Sequence, residues 1–414
     1  MIDFKLEAQK EFETLVQDRR DFHRHPELGF KEERTSRIVA QRLNELGMEV
    51  QTGVGQTGVV GLLDGDLPGP TVLLRFDMDA LPITEDTGLE FSSENPGVMH
   101  ACGHDGHMSM GLGLARIMAR HRDKIAGTLK FVFQPAEEGL GGAFAMIADG
   151  VLENPKPDVA LAMHLWNKVP YGQAWVTNGP AMSASSRFEL KITGRGGHGA
   201  SPHETVDPIL ASAHVITALQ SIVSRNVDPQ ESVVISVGMI EGGTTYNVIP
   251  ESVMIKGSVR SFSNEIHRKV YRRILETASS VAAGFGCTVA LETVVIVAAV
   301  VNDDGVSEQV RQSAQKVLGP ENVLDRKEMA SEDMGYMLEE VPGCYFFIGS
   351  ANHEAGQNFP HHHPRFDFDE RAMMNGIAVM GTAIASYVLP DGSFQQPKSG
   401  FNGLVAHEPV AISH

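Results

Sequence analysis

Residues 100–108, HACGHDGHM, place three histidines, Cys102 and Asp105 within nine positions. A structural zinc knot normally takes four ligands with paired cysteine spacings. The only other cysteines, Cys287 and Cys344, stand alone in apolar runs that read as buried packing. A thiol nucleophile beside histidine is chemically reasonable. It leaves unexplained the acidic pair Asp77 and Asp79 at the end of LLRFDMD. A metal site accounts for both features. In QPAEEG, Glu137 and Glu138 are adjacent carboxylates, so that one can hold a metal while the other faces a water as general base. A glutamate pair is usually only a solvated surface feature. Here it follows an apolar run and precedes a glycine-rich turn. His164 in AMHLW, a lone histidine after an apolar strand, reads by itself more often as a satisfied core residue than as a ligand. The triplet His361–His363 in PHHHP reads, by itself, as surface.

The elements that must position these groups follow from periodicity. From residue 57, β-branched runs alternate with helical stretches, the pattern of an α/β sheet with crossover helices. TGVVGLL, TVLLRFDMD, GTLKFVFQ and DVALAMHLW read as strands, and GHMSMGLGLARIMARH and GGAFAMIADGVL as helices. Chemistry in such sheets gathers at the carboxyl ends of strands. Asp77 and Asp79, Glu137 and Glu138, and His164 all fall there. Residues 183–297 change rhythm to βαββαβ, the ferredoxin-like order, expected as an inserted domain. The α/β pattern resumes over 298–389, with a helix at SEQVRQSAQKVLG, a buried strand at GCYFFIGS and a final helix apolar nearly all round. The expected division is therefore 1–182 and 298–389 for the catalytic domain, 183–297 for the insertion, and 390–414 for a disordered or loosely docked tail.

Bulk properties narrow the function classes. A chain of 414 residues exceeds what one core usually organises. Its 34 basic against 52 acidic residues, net charge −18, argue against a nucleic-acid partner. No apolar run approaches the roughly 18 residues of a membrane span, so no membrane partner is expected. The first helix lacks the apolar core of a signal peptide, and the odd cysteine count suits a reducing compartment. A cytoplasmic location is expected.

Ten motifs in order, HRHPELGF, LRFDMDALP, HACGHDGH, VFQPAEEGLGGA, AMHLW, GRGGHGASPH, YNVIPE, GSVRSF, SEDMGYMLEEVPG and HHHPRFDFDE, resemble the M20 peptidase family. The likeness is to its amidohydrolase branch of hippurate hydrolases, N-acyl-amino-acid deacetylases and auxin-conjugate hydrolases. It spans about residues 20–388. The resemblance implies a mixed-sheet α/β catalytic domain holding two divalent metal ions (Zn, Mn, Co or Ni), with a ferredoxin-like lid and dimerisation domain. It implies metal ligands Cys102, His104, Glu138, His164 and His362, with a water activated by Glu137 as general base. Asp79 would orient a ligand imidazole, and Asp105 would play a similar part. His198 would stabilise the oxyanion, typically across a dimer interface, making a homodimer or higher homo-oligomer the expected assembly. Asn247 and Arg260 match substrate-holding positions, Arg260 pairing with a free carboxylate; Asn247 also reads as a turn residue. His23, His25, His100 and His107 are read as structural or as supports for ligands. The expected reaction is cleavage of a small-molecule N-acyl-amino acid to a carboxylate and a free amino acid. A metallo-dipeptidase or carboxypeptidase, or a non-catalytic metal-binding relative, are the alternatives. One departure stands out: VAAVVND replaces the branch's YPPTVND-like return, which puts the loop over 298–304 in question.

Overall fold

The computed structural model describes residues 2–389. The chain divides into two compact units. One comprises the residues up to Ala181, Val301–Arg326 and the chain from Asp333; the other comprises Met182–Val300 and Lys327–Glu332. The segment read as a tail, 390–414, lies outside the described residues.

In the first unit the helix Phe4–Arg24 begins where the Asp3 carboxylate accepts the Leu6 N–H at 3.1 Å. It buries Phe4, Ala8, Leu15 and Phe22 as one stripe. The mixed sheet runs in the order Glu49–Val54, Gly58–Asp64, Ala126–Gln134, Leu67–Asp77, Val159–Pro170, Gly343–Ala351, Ala174–Trp175, Val323–Leu324. Its four middle strands, from Ala126–Gln134 to Gly343–Ala351, are parallel. Strands buried on both faces read as unbroken apolar runs, which is why GCYFFIGS is buried throughout.

The helix His104–Arg120 is buried on nearly every side. A Cβ at Gly111 would lie 2.8 Å from the Phe76 ring and 2.9 Å from Phe133 Cζ, so only glycine lets the helix approach two strands this closely. The final helix, Ala372–Val388, is likewise buried on most sides, as its composition implies.

Two local expectations change. His164 does not end its strand, which continues to Pro170. Pairing with Leu67–Asp77 stops at Arg75↔Ala162, while pairing with Gly343–Ala351 carries the strand onward. The loop left in question around VAAVVND contains the short strand Val300–Asn302. Asn302 is buried; its amide donates to the Thr177 and Tyr345 carbonyls at 2.8 and 2.9 Å and accepts the Tyr345 N–H at 2.7 Å.

The second unit is a four-stranded antiparallel sheet of Ala184–Thr193, Val233–Gly242, Ser252–Ser261 and Thr288–Val297 in the order second, third, first, fourth. That is the ferredoxin-like topology. Alternate residues Phe188, Leu190 and Ile192 pack with Val215, Leu219 and Ile222 of the helix Pro208–Asn226 and Val270 and Ile274 of the helix Asn264–Gly284. Cys287 and Cys344 are buried, free thiols. No helix among the described residues is long and apolar enough to cross a membrane.

Candidate metal centre

The centre lies in the first unit, where the helix His104–Arg120 and the loops after three parallel strands converge. Ligand atoms of Cys102, His104 and His164 lie within 4.8 Å of one another, as do those of Cys102, Glu138 and His362, and those of His104, Glu137 and Glu138. Three of these residues, Cys102, His104 and Glu138, each belong to two of these groups, an overlap that lets the donors serve two adjacent ions.

Backbone carbonyls decide which histidine nitrogens face inward. His104 Nδ1 donates to the Asp79 carbonyl at 2.8 Å, and His164 Nδ1 donates to the Leu165 carbonyl at 2.6 Å. Both rings therefore present Nε2, as ligand histidines do when the other nitrogen is held. His164 Nε2 lies 3.5 Å from Cys102 Sγ. His104 Nε2 is buried with no hydrogen-bond partner.

The histidine triplet sorts itself by contacts. His361 Nε2 donates to the Leu165 carbonyl at 2.9 Å and its ring stacks on Trp166, with centroids 4.3 Å apart. His363 Nδ1 accepts the Arg365 N–H at 3.0 Å, and its ring stacks on Phe359. His362 is the one that reaches the acidic pair, with Nε2 3.2 Å from Glu138 Oε1. Its φ of +66° is a left-handed conformation that a histidine adopts only under constraint, at about 1–3 kcal/mol. His107 is fully engaged instead: Nδ1 donates to Asp77 at 2.6 Å and Nε2 accepts the Leu165 N–H at 2.9 Å.

The acidic loop is held just as tightly. Ala136, immediately before Glu137, has φ +54°. Asp79 Oδ2 accepts the Glu138 N–H at 3.0 Å, so Asp79 orients both His104 and the loop. Asp105 takes other partners than the expected ligand imidazole, accepting from Arg19 Nε at 2.9 Å and His23 Nδ1 at 2.8 Å. Asp77 instead carries the supporting role, beside His107 and 3.7 Å from His104 Nε2.

Sequence reasoning passed over Arg75, Gln134 and Asp333. Buried Arg75 donates to Gln134 at 2.8 Å, Asp77 at 2.7 Å and Asp333 at 3.1 Å. Asp333 also accepts the Ala143 N–H at 2.9 Å, beyond the acidic loop. Their signal was present: an arginine and a glutamine interrupt otherwise apolar strands, where an unpaired polar side chain is costly.

Electrostatics tests whether these residues fit metal ions. Burial would lower the His104 pKa, yet Asp77, Asp79 and Glu138 raise it to about 10. Burial, then Glu138, Glu137 and Asp77, push the Cys102 thiol far up. Burial and neighbouring histidines hold His164 far down and neutral. The cluster therefore concentrates negative charge around buried donors, including His104 Nε2, which has no hydrogen-bond partner. Sulfur, imidazole and carboxylate donors in this combination suit borderline divalent cations once the thiol and His104 give up their protons.

The remaining candidates belong to the second unit. His198 pairs with Val248 across the short strands Gly197–His198 and Val248–Ile249. Its Nδ1 accepts the Ala200 N–H at 3.0 Å, which leaves the proton of the neutral ring on exposed Nε2. Asn247 lies beside it, its carbonyl accepting the Gly199 N–H at 2.9 Å and its side chain accepting from Thr245 at 3.3 Å. Arg260 lies apart from this pair on the strand Ser252–Ser261 and donates to the Met329 carbonyl at 2.8 Å.

The chain is 39% identical over 369 residues to thermostable carboxypeptidase 1 of Saccharolobus solfataricus, covering 87% of this chain and 92% of that protein. It is 37% identical over 362 residues to N-acetyl-L-cysteine deacetylase of Bacillus subtilis, covering 87% and 85%. Among solved structures, the Bacillus subtilis YXEP protein, described as a dinuclear metal binding peptidase from the M20 family, superposes with a TM-score of 0.79 at 31% identity, covering 91% and 97%. Residues 73–386 match the model of peptidase family M20/M25/M40, and with relatives this similar over most of their length the chain belongs to that hydrolase family.

Proposed function

We propose that the chain is a two-metal amidohydrolase that cleaves N-acyl-amino acids to a carboxylate and a free amino acid. Cys102, His104, Glu138, His164 and His362 hold the ions, with zinc, manganese, cobalt and nickel all suited to the donor set. When bound, the ions supply a Lewis acid for the amide carbonyl and lower the pKa of water. Glu137 takes the proton of the attacking water and returns it to the leaving nitrogen. Asp79 keeps His104 and the acidic loop aligned. His198 Nε2–H donates to the developing oxyanion from a second copy of the chain, in a homodimer or higher homo-oligomer. Arg260 binds the substrate carboxylate, and Asn247 holds the substrate beside His198.

The observation that carries this reading is the placement of Glu137. Its carboxylate is grouped with His104 and Glu138 rather than on open surface, the position of a base beside a metal pair. Retention of this base speaks against a non-catalytic relative. The three buried free thiols support a cytoplasmic location.

A carboxypeptidase or dipeptidase reading is favoured by the similarity to the Saccharolobus protein and differs only in what fills the acyl side. One set of assays tests all of this. On a panel of N-acetyl-, N-benzoyl- and long-chain N-acyl-amino acids plus dipeptides, E137Q should lose at least about 10³-fold in kcat with metal content unchanged. Turnover of dipeptides alone would shift the substrate class, and an active E137Q would remove the base. Mixing inactive H198A with E137Q should restore activity through mixed dimers; no recovery after confirmed subunit exchange would argue against His198 acting from a second copy.

A further inference from the structure

The motif HRHPELGFKEERTS carries no role in the reaction above, yet its backbone grips both loops that do. The Glu27 carbonyl accepts the Ala80 N–H at 2.8 Å, directly after Asp79, and Leu28 bridges Ala80 in parallel register. Gly29 lies against the acidic loop so closely that a Cβ there would be 3.0 Å from Ala136 Cα and 2.9 Å from Leu140 Cδ1.

Glu32 sits at the N-cap of the helix Glu33–Glu45 but makes no side-chain cap. Glu27 performs the capping, accepting the Arg34 and Thr35 N–H groups at 3.0 and 2.8 Å. The Glu32 side chain, fully buried, turns the other way. One oxygen accepts the Ala136 N–H at 3.0 Å and the other accepts the Thr57 hydroxyl at 2.6 Å. Ala136 is the left-handed residue directly before Glu137, so its N–H is the point where loop conformation and carboxylate direction are set together.

We propose that Glu32 is a positioning residue that holds Ala136, and through it the Glu137–Glu138 pair, in reactive geometry. This rests on Glu137 being the base. Asp79 fixes the same loop two residues later, at the Glu138 N–H. With both held, the two carboxylates diverge from a rigid segment; with Glu32 gone, the Ala136 N–H is left without its buried acceptor and the loop can relax toward ordinary φ. A misplacement near 1 Å is worth about 10²-fold in rate, and loss of a group supporting a ligand about 10- to 100-fold in metal affinity.

The test compares E32A, E32Q and T57V in the full-length, metal-loaded enzyme, with E137Q assayed alongside. Glutamine still offers an oxygen to Ala136, and T57V removes the other partner of Glu32 while sparing that bond. Expected are a 10- to 100-fold lower kcat for E32A with KM within about threefold. E32Q and T57V should stay within about threefold of wild type in kcat. Zn²⁺ titration of metal-stripped protein should show about tenfold weaker binding for E32A alone. A folded E32A with wild-type kcat and Zn²⁺ affinity, or an E32Q as impaired as E32A, overturns the proposal. If E32A does not fold, E32D, which falls short of Ala136, takes its place, and a wild-type kcat there is equally fatal. An active E137Q would instead remove the general-base reading itself.

Discussion

Cys102 and His104 show how a residue's meaning depends on charge it cannot display in sequence. Burial and then surrounding carboxylates hold the thiol far above its ordinary pKa, while carboxylates overcome burial to raise His104 to about 10. At pH 8 both therefore carry protons, and ions that bind as thiolate and neutral imidazole must displace them. Zn²⁺ titration of metal-stripped protein at pH 8 should release about two protons per chain. The measured enthalpy should then vary with the ionisation heat of the buffer. C102A should release about one fewer. A buffer-independent enthalpy in the wild type would show that these two side chains are not ligands. The same charge concentration explains why Asp77 matters although it touches no candidate ligand closely: it fixes His107, which in turn fixes the Leu165 peptide beside His164.

Elements are positioned by close approach as much as by apolar pattern. The acidic loop runs from Pro135 to the helix Gly142–Ala148, and a Cβ at Gly142 would fall 1.6 Å from the Pro135 carbonyl oxygen. No rotamer change relieves a clash with backbone, so Gly142→Ala must push the loop off its supports at Asp79 and Asp333. G142A should bind Zn²⁺ at least about tenfold more weakly and lose activity in proportion. Wild-type affinity, measured by the same titration, would mean that the loop adapts without moving Glu138. At this scale sequence reading worked where periodicity is strong: the buried strand Gly343–Ala351 and the ferredoxin-like order were legible. It failed where pairing decides the outcome, as in the strand continuing past His164 to Pro170.

Across the first unit, one buried cluster ties the segments that carry the site. Arg19 donates to Asp105 at 2.9 Å, Asp367 at 2.7 Å and Glu370 at 3.1 Å, and lies over the Phe91 and Phe368 rings. His23 joins Asp105 to Glu85, and the Ser93 N–H donates to Glu85 at 2.7 Å. Burial would raise the Glu85 pKa, but His23, Thr87 and the Ser93 N–H outweigh it and hold it at about 2. Its folded value lies below the unfolded one, near 4.5, so Glu85 stabilises the fold above the unfolded pKa. That contribution is lost as pH falls from about 4.5 to 2, and is of order 2–3 kcal/mol. In urea titrations the stability gap between wild type and E85Q should be widest near neutrality and shrink across this window. A gap independent of pH would mean that Glu85 contributes packing only.

Residue types, their order and their periodicity determined the two-unit α/β plan and the short list of chemically able residues, because strand and helix periods and donor chemistry are local properties. The motif's likeness to the family singled out His362, and tertiary structure shows it meeting Glu138; tertiary structure alone decided that Asp105 serves Arg19 and His23 while Asp77 supports the centre, and that Glu32 holds the acidic loop. Each of these depends on which buried polar atoms become neighbours after the strands have paired. Spacing along the chain does not encode that, and burial then leaves each such atom one partner it must find.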